Sequence, residues 1–133
     1  IDATGTGDIT ESGELWAYSM DTHCACTPAI ANGLAFITDC RGVVHCVDAD
    51  TGAPYWTHEL SDEIWASTLV ADGKVYAVSR GRDFCVFAAA KEKQVLAEIK
   101  LPQRTASTPV AANGVLYVAT MDRLYAIQES GGQ

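Results

Sequence analysis

Thr27-Pro28-Ala29-Ile30-Ala31-Asn32-Gly33-Leu34-Ala35-Phe36-Ile37 decides the fold, because the chain repeats its pattern twice. The second copy is Ser67-Thr68-Leu69-Val70-Ala71-Asp72-Gly73-Lys74-Val75-Tyr76-Ala77-Val78, and the third is Thr108-Pro109-Val110-Ala111-Ala112-Asn113-Gly114-Val115-Leu116-Tyr117-Val118. Gly33, Gly73 and Gly114 mark a step of 73 − 33 = 40 and then 114 − 73 = 41 residues. Phe36, Tyr76 and Tyr117 keep the same step. A period in this range is the mark of a repeat architecture.

Each copy is a predicted hairpin. Asn32-Gly33, Asp72-Gly73 and Asn113-Gly114 suit a two-residue type I′ turn, whose central residues both need positive φ. A third apolar run follows in each repeat, at Val43–Val47, Phe84–Phe87 and Leu124–Ile127. A fourth follows at Tyr55–Leu60 and Val95–Leu101, and Glu14–Met20 is in phase with it because Trp16 and Trp56 are also 40 apart. The Ala- and Lys-rich stretch 88–100 is the best helix candidate. It falls where the other repeats place a turn and an outer strand, and is read as those. Val75 and Ala77 are expected on one face of their strand, Tyr76 and Val78 on the other.

Four short antiparallel strands per repeat of about 40 residues make a propeller blade. The fold class expected is all-β: a partial β-propeller of about three four-stranded blades. The chain 1–133 reads as one segment, with repeats at approximately 1–22 (the tail of a blade), 23–62, 63–103 and 104–130. One four-stranded sheet cannot cover its own two faces, and stacking blades around an axis does. Trp16, Trp56, Tyr76 and Tyr117 are large enough to fill the gaps between blades.

The small-Pro opening, the X-Gly hairpin, His45-Cys46-Val47-Asp48-Ala49-Asp50-Thr51-Gly52 and then Tyr55-Trp56 together resemble the pyrroloquinoline-quinone (PQQ) enzyme repeat. Ile1-Asp2-Ala3-Thr4-Gly5 resembles the end of another third strand, with Trp16 as its outer-strand Trp. The middle repeat departs from the pattern: Thr68 replaces the Pro, 88–94 replaces the Asp-x-Asp-Thr-Gly turn, and Leu96 is expected where Trp16 and Trp56 stand. The resemblance is specific for fold and leaves function open. It implies two alternatives. One is a propeller scaffold or binding module of an exported, periplasmic or extracellular, bacterial-type protein. The other is a segment of a quinone-dependent dehydrogenase whose active site lies in further blades. PQQ with calcium is implied only for a complete propeller. No Cys-Cys pair and no matching set of acidic and amide ligands stands in this segment, so no catalytic, cofactor-binding or metal residue is assigned to it.

Three blades leave sheet faces open. The partners expected are therefore other propeller blades, from the same longer chain or from a second copy, or a partner protein. The chain opens in mid-repeat without Met, so its N-terminus is expected to have been removed, and a missing signal peptide is uninformative. A formal charge of −8 opposes contact with phosphate backbones, so nucleic acid is not expected. No apolar run reaches the ~18 residues of a membrane span.

The five cysteines are Cys24, Cys26, Cys40, Cys46 and Cys85. Extending the Asn32-Gly33 hairpin puts Cys26 against Asp39, Cys24 against Arg41 and Ala25 against Cys40. Cys40 is then diagonal to Cys24 and Cys26, which are the candidates for a disulfide in an exported protein. A metal site of His23, Cys24, Cys26 and Cys40 and a set of buried free thiols are the alternatives; Cys-x-Cys is not the usual zinc spacing. Cys46 and Cys85, one position apart in equivalent strands, read as small core residues facing different ways. His45 and His58 read as structural histidines. Trp65, with Glu63 two residues before it, should lie near the mouth of the channel, as an exposed binding aromatic or as a wedge between blades.

Overall fold

In a computed structural model the described residues are 1–128. The expected end of the last repeat at 130 lies outside them. Among the described residues eleven strands form three antiparallel sheets. The first blade holds β1 (Ala29–Ala31), β2 (Leu34–Thr38), β3 (Val43–Asp48) and β4 (Pro54–Glu59). The second holds β5 (Leu69–Ala71), β6 (Lys74–Val78), β7 (Asp83–Ala88) and β8 (Val95–Lys100). The third holds β9 (Val110–Ala112), β10 (Val115–Ala119) and β11 (Leu124–Ile127). Each sheet follows chain order, and the described residues contain no helix. Stretch 88–100 is a turn and β8, as its place in the repeat requires.

The hairpins turn as their residues dictate. Asn32 and Gly33 have φ of 54° and 73°, Asp72 and Gly73 50° and 66°, Asn113 and Gly114 52° and 74°. All six are left-handed, the conformation these residue types tolerate best. Alternation then sends the two faces of the middle sheet into two separate cores. Val75, Ala77, Cys85 and Phe87 join Leu34, Phe36, Val44, Cys46 and Trp56 between the first and second blades. Val78, Phe84 and Val86, with Tyr76 beside them, meet Val118, Leu116 and Tyr125 between the second and third. Cys46 and Cys85 thus point from different faces of successive sheets into one gap.

Trp56 is the centre of the first core. Its ring lies 6.1 Å from Phe36 and 5.4 Å from Phe87, and its Nε1–H donates to the Ala90 carbonyl of the next blade at 3.0 Å. Trp16 repeats this bond one blade earlier, to the Ala49 carbonyl at 3.1 Å. Two expectations need correction here. Glu14–Met20 forms no strand, because no third strand lies beside it to complete a ladder, although Trp16 is seated as an outer-strand Trp. And the residue in register with Trp56 is Ala97, not Leu96. Cys46 pairs with Trp56 and Val86 with Ala97, and the turn before β8 is one residue longer. Leu96 therefore faces solvent while Ala97 packs on the second core.

The cysteine registers need correction as well. The ladder of β1 with β2 ends at Ala29–Phe36. Before it, the Thr27 N–H turns away to the Ser67 hydroxyl of the next blade at 2.8 Å, just as the Ser67 N–H turns to Thr108 Oγ1 at 3.0 Å. The strand is thereby peeled off its own sheet. The Cys40 N–H then meets the His23 carbonyl at 3.1 Å rather than facing Ala25.

Candidate binding surface

Glu63 and Trp65 lie on the segment leading into β5. The Arg80 N–H donates to the Glu63 carbonyl at 2.8 Å and fixes the loop after β6 against this segment. Cys40 to His23 and Met121 to Arg104, at 3.1 and 2.9 Å, are the same bond in the other blades. The frame is common, and only the side chains on it differ. Ala25 and Ala106 stand where Trp65 stands.

Trp65 is 54 % exposed, so it is not the interblade wedge. It is nevertheless held on two sides. Its Nε1–H donates to Glu63 Oε2 at 3.1 Å, and Arg80 Nη1 donates to the same oxygen at 3.1 Å. The Arg80 guanidinium carbon stands 4.5 Å from the indole centroid. At an exposed site such a cation–π contact is worth only about 0.5–1 kcal/mol, and a surface ion pair no more. Orientation is the larger consequence: one carboxylate and one guanidinium choose the rotamer of a large, half-open aromatic. Sequence reasoning names Trp65 and Glu63 but not Arg80, which the structure sets beside them. The signal was the period, since Arg80 is 40 residues after Cys40 as Glu63 is 40 after His23.

This carboxylate does not suit calcium. A guanidinium already occupies the Glu63 oxygen, and a dication there would meet like charge within a few ångströms.

The first-blade cysteines do gather, as free thiols. Cys24 Sγ contacts the Cys26 N–H at 3.4 Å and donates to the Thr38 carbonyl at 3.1 Å. In the third blade Thr105 Oγ1 contacts the Ser107 N–H at 3.2 Å and donates to the Ala119 carbonyl at 2.6 Å. Cys24 thus fills a position where the repeat also uses a hydroxyl. Burial, then the nearby Cys24 and Cys40, raise the Cys26 thiol above its ordinary range. Burial also pushes the Cys46 and Cys85 thiols each up to about 11. None of these three is a thiolate nucleophile at neutral pH.

His45 uses both ring nitrogens. Nδ1 pairs with the Tyr18 hydroxyl at 3.0 Å and Nε2 with Asp39 Oδ2 at 3.0 Å. Asp39 Oδ1 accepts the N–H groups of Arg41 and Val43 at 2.9 and 3.1 Å. The array ties one blade's turn to the next and leaves no ring atom for a substrate.

Comparison with known proteins agrees with this architecture. The family described as outer membrane protein assembly factor BamB matches residues 7–133. Among solved structures, BamB from Moraxella catarrhalis is similar with a TM-score of 0.73 and 20% identity, over 86% of this chain and 36% of that one. The quinohemoprotein alcohol dehydrogenase ADHIIG from Pseudomonas putida HK5 follows at 0.66 and 20%, over 76% and 17%. The quinohemoprotein alcohol dehydrogenase of Comamonas testosteroni gives 0.61 and 18%, over 73% and 17%. No curated protein matches. The chain spans about a third of the BamB structure and a sixth of the dehydrogenases, and at these identities the likeness is one of fold. With the family match running over nearly all of its length, the chain belongs to the BamB-type family of PQQ-like propeller repeats.

Proposed function

We propose that this chain is part of an extracytoplasmic β-propeller scaffold that presents Trp65, oriented by Glu63 and Arg80, to a partner protein. The observation carrying this reading is an indole that is half exposed yet already fixed. Aromatic anchors dominate interfaces, and one that is pre-ordered loses little side-chain freedom on binding. The family's description as an assembly factor fits protein handling. A periplasmic or extracellular site fits the thiols as well: Cys24, Cys26 and Cys40 are the set from which one disulfide would form there. The remaining faces of the ring come from further blades, of the same longer chain or of another copy. The second reading is quinone-dependent oxidation, since two of the structural neighbours are quinohemoprotein alcohol dehydrogenases. It would rest on residues of a complete ring outside this segment.

The test places a photo-crosslinking amino acid at position 65 of the protein in its native host, with an exposed control at Thr51. Adducts of a discrete size are expected from position 65 and not from 51. Trp65→Ala and Arg80→Ala should then weaken binding of the captured partner, the first by about thirtyfold or more, the loss of a hot-spot side chain of ~2 kcal/mol. Equal labelling from both positions would sink the proposal.

A further inference from the structure

The period that relates Trp16 to Trp56 also relates Tyr18 to His58, and it relates His45 to Cys85. In the first gap Tyr18 reaches across from the preceding outer segment and bonds His45 directly. In the second gap the same two positions hold a histidine and a cysteine. The Cys85 thiol makes no hydrogen bond to another described residue. Glu98, paired with Cys85 across β7 and β8, joins them. His58 Nε2 lies 3.6 Å from Glu98 Oε1, and one ligand atom from each of the three residues falls within 4.8 Å of the other two. They line a groove of about 340 Å³ that opens to solvent.

From this geometry we propose that His58, Cys85 and Glu98 form a zinc-binding site between the first and second blades. The donor set is one nitrogen, one sulfur and one oxygen, which is borderline-soft and suits Zn²⁺. In a tetrahedral site with bonds of about 2.0–2.3 Å the ligand atoms stand roughly 3.5 Å apart. The His58–Glu98 distance already meets this. The separations from Cys85 Sγ, at most 4.8 Å, must close by about 1 Å, for which the exposed Glu98 side chain and the His58 ring have room to turn. On binding, the Cys85 proton leaves to solvent, and the thiolate and carboxylate together neutralise the dication. The nearby Lys100 is engaged by Asp83, and Lys93 donates to the Thr57 carbonyl. Three protein ligands leave the fourth position to a water in the groove, the arrangement of an open rather than a purely structural zinc site. The ion would also clamp two blades, since His58 belongs to β4 while Cys85 and Glu98 belong to β7 and β8.

The test adds Co²⁺ to the full metal-free chain and follows the near-ultraviolet thiolate-to-cobalt charge-transfer absorption, with Zn²⁺ used in competition and in thermal melts. Wild type should show the band, lose it to Zn²⁺ and melt higher with Zn²⁺. Cys85→Ser should abolish the band. His58→Gln and Glu98→Gln should each weaken Co²⁺ binding by more than the roughly 10–100-fold that loss of a mere supporting residue costs. Cys24→Ser should leave band and affinity unchanged. Absence of the band in wild type, its survival in Cys85→Ser, or its loss in Cys24→Ser would each overturn the assignment. Circular dichroism of each variant separates lost ligation from lost folding.

Discussion

Replacing Trp56 by Ala tests whether the blades are one cooperative body. Trp56 is 8 % exposed and sits between Phe36 of its own blade and Phe87 of the next. A buried indole removes roughly 200 Å² from water, or about 5 kcal/mol at 25 cal/mol per Å². Partial collapse of the cavity returns some of that, and measured Trp→Ala changes in cores fall at about 3–5 kcal/mol. The lost Nε1–H bond leaves the Ala90 carbonyl at the solvent edge, which adds little. The expected cost is therefore about 4 kcal/mol. Trp56→Phe keeps an aromatic body and should cost less than half as much. Guanidinium denaturation followed by far-ultraviolet circular dichroism measures this without relying on the indole that was removed. Two cooperative steps in Trp56→Ala, where wild type shows one, would mean that the blades have been uncoupled. A cost below about 1 kcal/mol in a still single transition would refute the claim that this side chain holds the first two blades together.

Gly52 and Gly33 have the same φ of 73°, but a Cβ on Gly52 would lie 2.5 Å from Trp16 Cε3 while one on Gly33 meets nothing within 4 Å. Gly33→Ala should cost only the left-handed penalty of about 1–2 kcal/mol. Gly52→Ala should cost at least about 1 kcal/mol more in the same denaturation assay, and equal costs would show that Trp16 is not seated on this turn. If the protein is directed to an oxidising compartment, thiol titration after denaturation without reductant should find 5 − 2 = 3 reactive thiols of the five cysteines, with one disulfide mapped among Cys24, Cys26 and Cys40. Five thiols would remove the disulfide from the proposal.

The strands were legible because their signals are local. Asn-Gly and Asp-Gly impose left-handed turns wherever they stand, and alternation assigns each residue of β6 to a face before any neighbour is known. What failed depended on neighbours. Leu96 was matched to Trp56 by counting residues, but a turn longer by one residue shifts register without leaving a compositional trace. The cysteine pairing expected from the hairpin presumes a ladder that Thr27 leaves for Ser67 of the next blade. Trp65 could be placed on the correct segment, but its exposure and its clasp by Arg80 come from a loop 15 residues further on (80 − 65). His58, Cys85 and Glu98 escaped for the same reason, since they converge only when one blade's outer strand crosses the next blade's third.

Function in such a fold should be sought where equivalent positions disagree. The backbone bonds of the segment entering each inner strand are the same at His23–Cys40, Glu63–Arg80 and Arg104–Met121. Those bonds, together with the buried Ile64 and Ala66 on either side of Trp65, hold the segment, so the exposed side chain between them is released from structural duty. Two blades place Ala there and one places Trp. An exposed Trp in place of Ala adds apolar surface to water and gains the fold little, which fits the partner surface proposed for it. The gap between outer strands obeys the same logic in reverse. Tyr18 and His45 satisfy each other there, as a structural pair must when buried. His58 and Cys85 inherit their places without inheriting the bond: His58 turns to Glu98 instead, the Cys85 thiol bonds to no described residue, and a metal ion would join all three.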